Sequence, residues 1–279
     1  MNDITALVLT YNEQENISRV LDSISWIPKI IVADSNSTDE TVKLASNFPN
    51  VTLVQRAFDS FANQCNFGLS QIHTEWVLSL DADYVVTPEL REQIRTLDPN
   101  SSVAGYSVDF RYCIFGQPLR ASLYPSRTAL YRRKLAQYRD EGHGHRVTVD
   151  GKIEKLLGKI DHDDRKPLSR WIESQDRYAR LEASYLLNVD SGLSVNGHQL
   201  SGGPRPLKPQ DRLRLAIYFA PIVMFFYLLF GRGLILDGWR GWYYVAQRVI
   251  AELLLSIRLL EAKMHGARST EQEAGSAKS

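Results

Sequence analysis

Trp76-Val77-Leu78-Ser79-Leu80-Asp81-Ala82-Asp83 is the stretch on which the reading of this 279-residue chain turns. Its first five residues form a short apolar run, the pattern of a buried strand. The run stops at two carboxylates one residue apart. In an extended or turning backbone alternate side chains point the same way, so Asp81 and Asp83 can converge on one hard cation and its ligand. Oxygen-only coordination suits Mg2+ or Mn2+, which proteins hold with one or two carboxylates together with a substrate's phosphates. A D-x-D triplet alone is a weak signal, and the chain has a second, Asp161-His162-Asp163. What raises the first above the second is its place at the end of a buried strand, after alternating β and α segments.

Those segments begin almost at once. Ile4-Thr5-Ala6-Leu7-Val8-Leu9 reads as a first buried strand, with Thr10-Tyr11-Asn12-Glu13 as the turn after it. Residues 15–24 carry Ile17, Val20, Leu21 and Ile24 at helical spacing. Residues 29–33 form a second strand that closes on the polar turn Asp34-Ser35-Asn36-Ser37-Thr38-Asp39-Glu40-Thr41. Ser37 or Thr38 is suited to cap a helix running through Leu44 to Phe48. A third strand over 51–54 and a third helix over 60–72 complete the alternation. Strands alternating with helices predict an α/β chain with a doubly wound, mostly parallel sheet. Such sheets bind ligands beyond the carboxyl ends of their strands. Asn12, Asp34, Asp81 and Asp83 all fall at those ends, so one crevice would collect them.

Downstream, 88–97 reads as a helix, and 103–114 and 128–133 as strands, with Gly116-Gln117-Pro118 as a turn between them. The region 124–149 is dense in ionisable groups, among them Arg127, Asp140, Glu141, His143 and His145. Arg127 suits bidentate binding of a phosphate at the crevice rim, and equally a surface ion pair. Asp163-Asp164-Arg165-Lys166 reads as a solvated helix start before Pro167, and His162, beside Asp161, Asp163 and Asp164, as part of a solvated turn ahead of a metal site. Tyr11 and Trp76 read as packing residues. A long helix over 171–187 is followed by Ser201-Gly202-Gly203-Pro204-Arg205-Pro206, a domain boundary by composition. The tail 266–279 has the composition of a disordered segment.

Composition excludes some function classes. A net charge of +1 lacks the basic excess of a dedicated nucleic-acid binder. Cys65 and Cys113 offer neither a disulfide framework nor metal-ligand spacing, and read as buried thiols in a reducing compartment. With a strand almost at the first residue and no signal peptide, the catalytic part is expected in the cytoplasm.

The C-terminal third points to a membrane surface. Residues 215–230 carry no formal charge and contain Pro221. As a straight helix they would cover roughly 24 Å, short of the about 30 Å hydrocarbon core. Residues 243–260 set Val245, Val249, Leu253 and Ile257 in one row, an amphipathic pattern. Arg205, Lys208, Arg212, Arg214, Arg232 and Arg240 flank the apolar block, and Trp239, Trp242, Tyr243 and Tyr244 cluster beside it. Basic flanks and Trp/Tyr belts are interfacial features. The expectation is insertion into the cytoplasmic leaflet, ahead of a true span or a soluble oligomer interface.

Leu9-Thr10-Tyr11-Asn12-Glu13, then Asp34 to Thr41, then Leu80-Asp81-Ala82-Asp83 resemble, in order and spacing, the family-2 inverting glycosyltransferases with the GT-A fold. The resemblance covers about the first 135 residues. Within the family the chain is similar to the bacterial lipopolysaccharide core glucosyltransferases, which carry a similar middle region and an apolar C-terminal segment. The resemblance implies a GT-A domain over 1–200 with a nucleotide-binding half (1–100) and an acceptor half (101–200), then a membrane-association segment over 201–265 on the cytoplasmic face of the inner membrane. It implies a nucleotide-sugar donor, most commonly a UDP-sugar, and a cell-envelope glycan or lipid-linked acceptor. Asp34 would bind the base, and Thr10, Tyr11, Asn12 and Glu13 would surround the nucleoside with Gln64 or Asn66 nearby. Asp81 would lie near ribose and diphosphate, and Asp83 would ligate the metal. A leaving nucleoside diphosphate develops negative charge, which a divalent cation bridging its phosphates stabilises.

Inverting transfer also requires a base for the acceptor hydroxyl. The family places an Asp or Glu about a hundred residues past the metal motif, often as a Glu-Asp pair. This chain instead offers Asp140-Glu141-Gly142-His143-Gly144-His145, with Glu141 as first candidate, Asp140 second, and His143 or His145 as imidazole alternatives. Transfer to a polyprenyl phosphate, which needs no strong base, and a non-catalytic nucleotide-sugar-binding membrane scaffold are the competing readings.

Overall fold

The computed structural model describes residues 3–141, 144–190 and 209–276, with their side chains except those of 140–141, 144–146, 188–190, 209–210 and 265–276. The chain forms two compact units, Met1–Lys166 and Pro167–Ser279. The division falls before the long helix, upstream of the Gly/Pro-rich boundary at 201–206 expected from composition.

In the first unit the expected alternation is present. Strand β1 (Ile4–Thr10) leads to helix α1 (Ile17–Ser23), β2 (Lys29–Asp34) to α2 (Thr41–Ala45), and β3 (Val51–Gln55) to α3 (Phe61–Ser70). Next come β4 (Trp76–Asp81), a short β5 (Tyr84–Val86) and α4 (Pro88–Thr96). The order β3-β2-β1-β4 is parallel throughout, with β1 between β2 and β4. Strand β1 is buried along almost its whole length, as a central parallel strand covered on both faces must be. Ile17, Val20 and Leu21 of α1 pack into the core on one face of the sheet, while Cys65 and Leu69 of α3 pack with Leu7 and Ile31 on the other.

Beyond β4 the sheet changes direction. Strands β6 (Gly105–Ile114), β7 (Gln117–Pro118), β8 (Arg127–Arg132) and β11 (Ile153–His162) continue it in the order β4-β8-β6-β11-β5. Strand β8 runs antiparallel to both β4 and β6. The expected turn at 116–118 is a tight hairpin instead, with Ile114 opposite Gln117. Phe115 and Gly116 between them both have positive φ, 49° and 77°, as a two-residue type I′ loop requires. A separate hairpin pairs β9 (Ala136–Glu141) with β10 (Gly144–Val149).

Several local expectations are corrected. Ser37 and Thr38 do not cap α2; its N-cap is Glu40, without a side-chain cap bond, because the polar turn is held from the β1 side. Tyr11 is 52% exposed and is no packing residue, whereas Trp76 is fully buried. The run 163–166 is not a solvated helix start: Asp163 is 3% exposed, and the run closes an ion-pair cluster.

The second unit is helical. It contains α5 (Leu168–Asp190), α6 (Pro209–Leu215), α7 (Ala220–Phe226) and α8 (Trp239–Ser276). Ala179, Ala183 and Leu186 of α5 meet Leu255 and Leu259 of α8 and Ile217 in an apolar seam. Arg214 bridges Glu252 at 2.9 Å and Glu182 at 3.1 Å, and Arg258 pairs with Asp176 at 2.6 Å. The tail expected to be disordered continues α8 as far as Ser276. Among the described residues no helix is long and apolar enough to cross a membrane.

Candidate active site

Strand register builds the site. Thr10 lies opposite Asp34 and Leu9 opposite Asp81, so three parallel strands end on one line. The loops leaving β1 and β2 are sewn together there. Asn12 N donates to Ser37 Oγ at 2.8 Å and Thr38 N to Asn12 Oδ1 at 2.7 Å. Glu13 N donates to Thr41 Oγ1 at 2.7 Å. Asn12 and Asn36 have positive φ, 53° and 60°, a conformation asparagine accepts more readily than most residues. Tyr11 projects beside this seam, exposed.

Asp34 is fully buried. Its Oδ2 accepts from Ser37 N at 2.9 Å and from Gln55 Nε2 at 3.1 Å, and its Oδ1 from Ser37 Oγ. In this structure the carboxylate shapes the β2 loop. Thr10 Oγ1 is buried and has no hydrogen-bond partner among the described residues. Gln64, on α3, is 2% exposed; its Oε1 lies 3.4 Å from an Arg56 nitrogen, and its Nε2 is buried and unpaired among the described residues. Asn66 is not brought to the strand ends. Its amide is taken up in both directions by the backbone of Tyr138, at 3.0 and 3.1 Å, and so pins β9 to α3.

The two D-x-D triplets separate by what holds their carboxylates. Asp161 is gripped by Arg111 through two bonds of 2.6 and 2.8 Å. Asp163 is gripped by Arg19 at 2.6 Å, by Arg165, and by the Gly116 amide at 2.9 Å. Neither is available to a cation. Asp83, by contrast, has Oδ2 3.2 Å from His162 Nε2, and an Oδ1 that is buried without a partner among the described residues. His162 Nδ1 is likewise buried and unpaired among the described residues. Asp163 N donates to Asp83 O at 3.1 Å, fixing the two triplets side by side. His162 is therefore part of the site and not of a solvated turn; sequence spacing could not show this, because its neighbour is 79 residues away.

Aromatic rings hold the imidazole in place. Tyr84, Tyr112 and Tyr124 stand around His162 at centroid distances of 5.4, 4.8 and 4.6 Å. Arg127 lies over the Tyr124 ring at 5.0 Å and, among the described residues, forms no ion pair. Burial works against the Arg127 charge, but the nearby carboxylates of Asp81 and Asp83 favour it, so Arg127 remains a guanidinium facing the acidic end of β4. Burial likewise opposes the charge on Asp83, but His162 and Lys166 prevail and hold its carboxyl well below the usual carboxylate range.

Lys166 is the residue that sequence reasoning missed most completely. Its ammonium lies 2.5 Å from Glu13 and 3.5 Å from Asp164, within electrostatic reach of Asp83. One cation thus serves three carboxylates. Burial pushes Glu13 up to about 7, with the Asp83 charge adding to it and Lys166 opposing. The buried Asn16 completes the lattice by donating to Glu13 at 2.8 Å and to Asp164 at 3.0 Å.

No group of three or more His, Cys, Asp or Glu side chains among the described residues forms a ready-made metal cage. The donors present fit a different kind of site. An ionised Asp83 with one buried oxygen unpaired among the described residues, Asp81 two residues earlier at the strand end and an imidazole nitrogen alongside leave coordination to be completed by phosphate oxygens and water, as Mg2+ and Mn2+ sites commonly do. Of the proposed bases, His143 lies outside the described residues, as do the side chains of Asp140 and Glu141. Their backbones end the β9 strand, with Glu141 opposite Gly144 and Asp140 opposite His145.

The model of Glycosyl transferase family 2 matches residues 5–151. The chain is similar to an uncharacterized glycosyltransferase of Rickettsia felis, 26% identical over 168 residues, 57% of this chain and 59% of that one. It thus spans less than two thirds of that relative's length. Similarity to the lipopolysaccharide core biosynthesis glycosyltransferase LpsC of Rhizobium meliloti extends over 284 aligned residues, 97% of each chain, at 22% identity. Among solved structures, the mannosyltransferase PcManGT from Pyrobaculum calidifontis in complex with GDP-Man and Mn2+ matches with a TM-score of 0.49 and 18% identity, covering 92% of this chain and 87% of that one.

Proposed function

The chain belongs to glycosyl transferase family 2, with a GT-A fold, and on that premise we propose that it moves a sugar from a nucleoside-diphosphate donor to an acceptor hydroxyl, with inversion and with a divalent cation at Asp83. The observation that supports this most is the buried Asp83 Oδ1 just past the carboxyl end of β4, an acceptor without a partner among the described residues that a cation would satisfy.

In this reading the nucleoside enters between the β1 and β2 loops, where Tyr11 offers an exposed ring and Thr10 to Glu13 line the approach. Asp81 lies at the ribose and diphosphate. Asp83 holds the cation, with His162 beside it in a fixed orientation. The cation supplies charge stabilisation for the departing diphosphate. Arg127, charged and aimed at the same end of the strand, suits a phosphate oxygen of donor or acceptor. Glu141, or its neighbour Asp140, accepts the proton of the attacking hydroxyl.

The donor is a UDP-sugar in the first instance. The acceptor is a cell-envelope glycan or lipid-linked sugar, in keeping with the lipopolysaccharide core role that the name of LpsC carries. A panel of nucleotide sugars assayed for Mn2+-dependent release of nucleoside diphosphate tests the proposal. Release from one donor, lost on chelation and in Asp83→Ala, supports it; no release from any donor with a suitable glycan acceptor present refutes it.

A further inference from the structure

The second unit carries an apolar stripe turned the wrong way for a water-soluble helix. Phe219, Ile222, Val223, Phe226, Tyr227 and Phe230 recur at i, i+3, i+4, i+7, i+8 and i+11, the spacing by which a helix normally buries one face in a core. Here all six are exposed, Phe219 by 63%, Phe226 by 55% and Phe230 by 57%. The side that α7 and its following π turn bury against α8 is formed by other residues, Ala220, Pro221, Leu228 and Leu229. The segment is therefore apolar on both sides, and the described residues cover only one of them.

The stripe is continuous with a wider surface. Phe225 contacts Trp242 of α8 at 6.0 Å between ring centroids, and Phe226 stacks on Phe230 at 6.0 Å. Leu236 and Trp239, exposed by 69% and 62%, extend it through the turn that enters α8. Contiguous exposed apolar area of this kind marks an interaction surface.

Charge decides what it meets. Between 218 and 251 the chain carries Arg232, Arg240 and Arg248 against one carboxylate, Asp237. Arg232 is exposed and the other two arginines are half-exposed. A second copy packed about a two-fold axis would set this basic rim against itself. An anionic bilayer would meet the arginines with phosphates while accepting the phenylalanines below them and the tryptophans at headgroup level.

We infer that the face formed by α7, its π turn and the start of α8 is a membrane-docking surface that lies in the interface of an anionic bilayer. At roughly 18 Å for twelve helical residues the stripe is too short to span and suited to lying in the plane. Interfacial helices of this type sink about 5–10 Å. This inference does not depend on the sugar-transfer reading, since it concerns only lipid binding.

Full-length protein is mixed with vesicles of phosphatidylcholine alone or with 30 mol% phosphatidylglycerol, and the bound fraction is measured by sedimentation. We expect binding to the anionic vesicles, at least tenfold weaker in Phe226→Ser/Phe230→Ser, and a loss of the preference for phosphatidylglycerol in Arg232→Gln/Arg240→Gln. Tryptophan fluorescence of the unaltered protein supplies a readout that no folding defect can confound: brominated acyl chains should quench it. Absence of binding to anionic vesicles together with absence of quenching overturns the proposal. So does concentration-dependent dimerisation without lipid that Phe226→Ser/Phe230→Ser abolishes.

Discussion

His162 Nε2 lies 3.2 Å from Asp83 Oδ2, so the histidine of one D-x-D triplet meets the carboxylate that ends the other. The second triplet contributes its middle residue to the site, while its two carboxylates are taken by Arg111, Arg19 and Arg165. His162→Ala should therefore lower metal-dependent kcat/KM by about 10–100-fold, the usual effect of losing a group that orients or supplements a metal ligand. Asp161→Asn, which only loosens a partly exposed pair with Arg111, should leave kcat/KM within about threefold and cost about 1 kcal/mol of stability. Steady-state kinetics and urea unfolding of both variants separate the two effects.

Asn66 offers a choice between a structural and a nucleoside-binding role. Its two bonds to the Tyr138 backbone predict that Asn66→Ala destabilises the protein by about 1–3 kcal/mol, because a buried donor and acceptor lose their partner. A nucleoside contact would instead raise the donor KM with unfolding unchanged. Chemical denaturation and donor kinetics on this variant give the answer.

Glu13 should make stability depend on pH. One ammonium, Lys166, serves Glu13, Asp164 and Asp83, and burial pushes the Glu13 carboxyl from its ordinary 4.5 up to about 7. The folded chain then binds a proton that the unfolded chain releases near 4.5. Its contribution is fully present below that value and is lost as pH rises to about 7. The stability of the metal-free protein relative to Glu13→Gln should thus fall between pH 5 and pH 8. A difference that stays flat, measured by urea titration at both values, would show that Glu13 remains ionised throughout.

Much of this was legible in the sequence, and what was not has a common cause. Ile4 to Leu9 and Trp76 to Leu80 are mainly apolar runs because both faces of a central strand are covered, and such runs are visible locally. The strand ends, with Asn12, Asp34 and Asp81, follow from those runs. What spacing does not carry is who pairs with whom across the chain. Asp163-Asp164-Arg165-Lys166 looks like a solvated helix start by itself; its partners Arg19, Asn16 and Glu13 lie about 150 residues earlier. Ser37 and Thr38 look like caps until Asn12, on the neighbouring loop, claims them.

Glu141, at the end of β9, is the first candidate for the proton acceptor. Glu141→Gln should cut kcat for transfer to a hydroxyl acceptor by 10² to 10⁴, about the contribution of a positioned base, with the donor KM unchanged. Asp140→Asn with the same phenotype, and a silent Glu141→Gln, would move the role one residue back. Both silent would favour a phosphate acceptor, which needs no strong base.

The most direct test is calorimetric titration of UDP, and of GDP in parallel, into wild-type protein and Asp83→Asn, each with Mn2+ and with chelator. A nucleotide held through a cation at Asp83 should bind wild type at least tenfold more tightly with Mn2+, about 1.4 kcal/mol or more, and Asp83→Asn equally weakly under both conditions. Binding of equal strength with Mn2+ and with chelator, in both proteins, would contradict it.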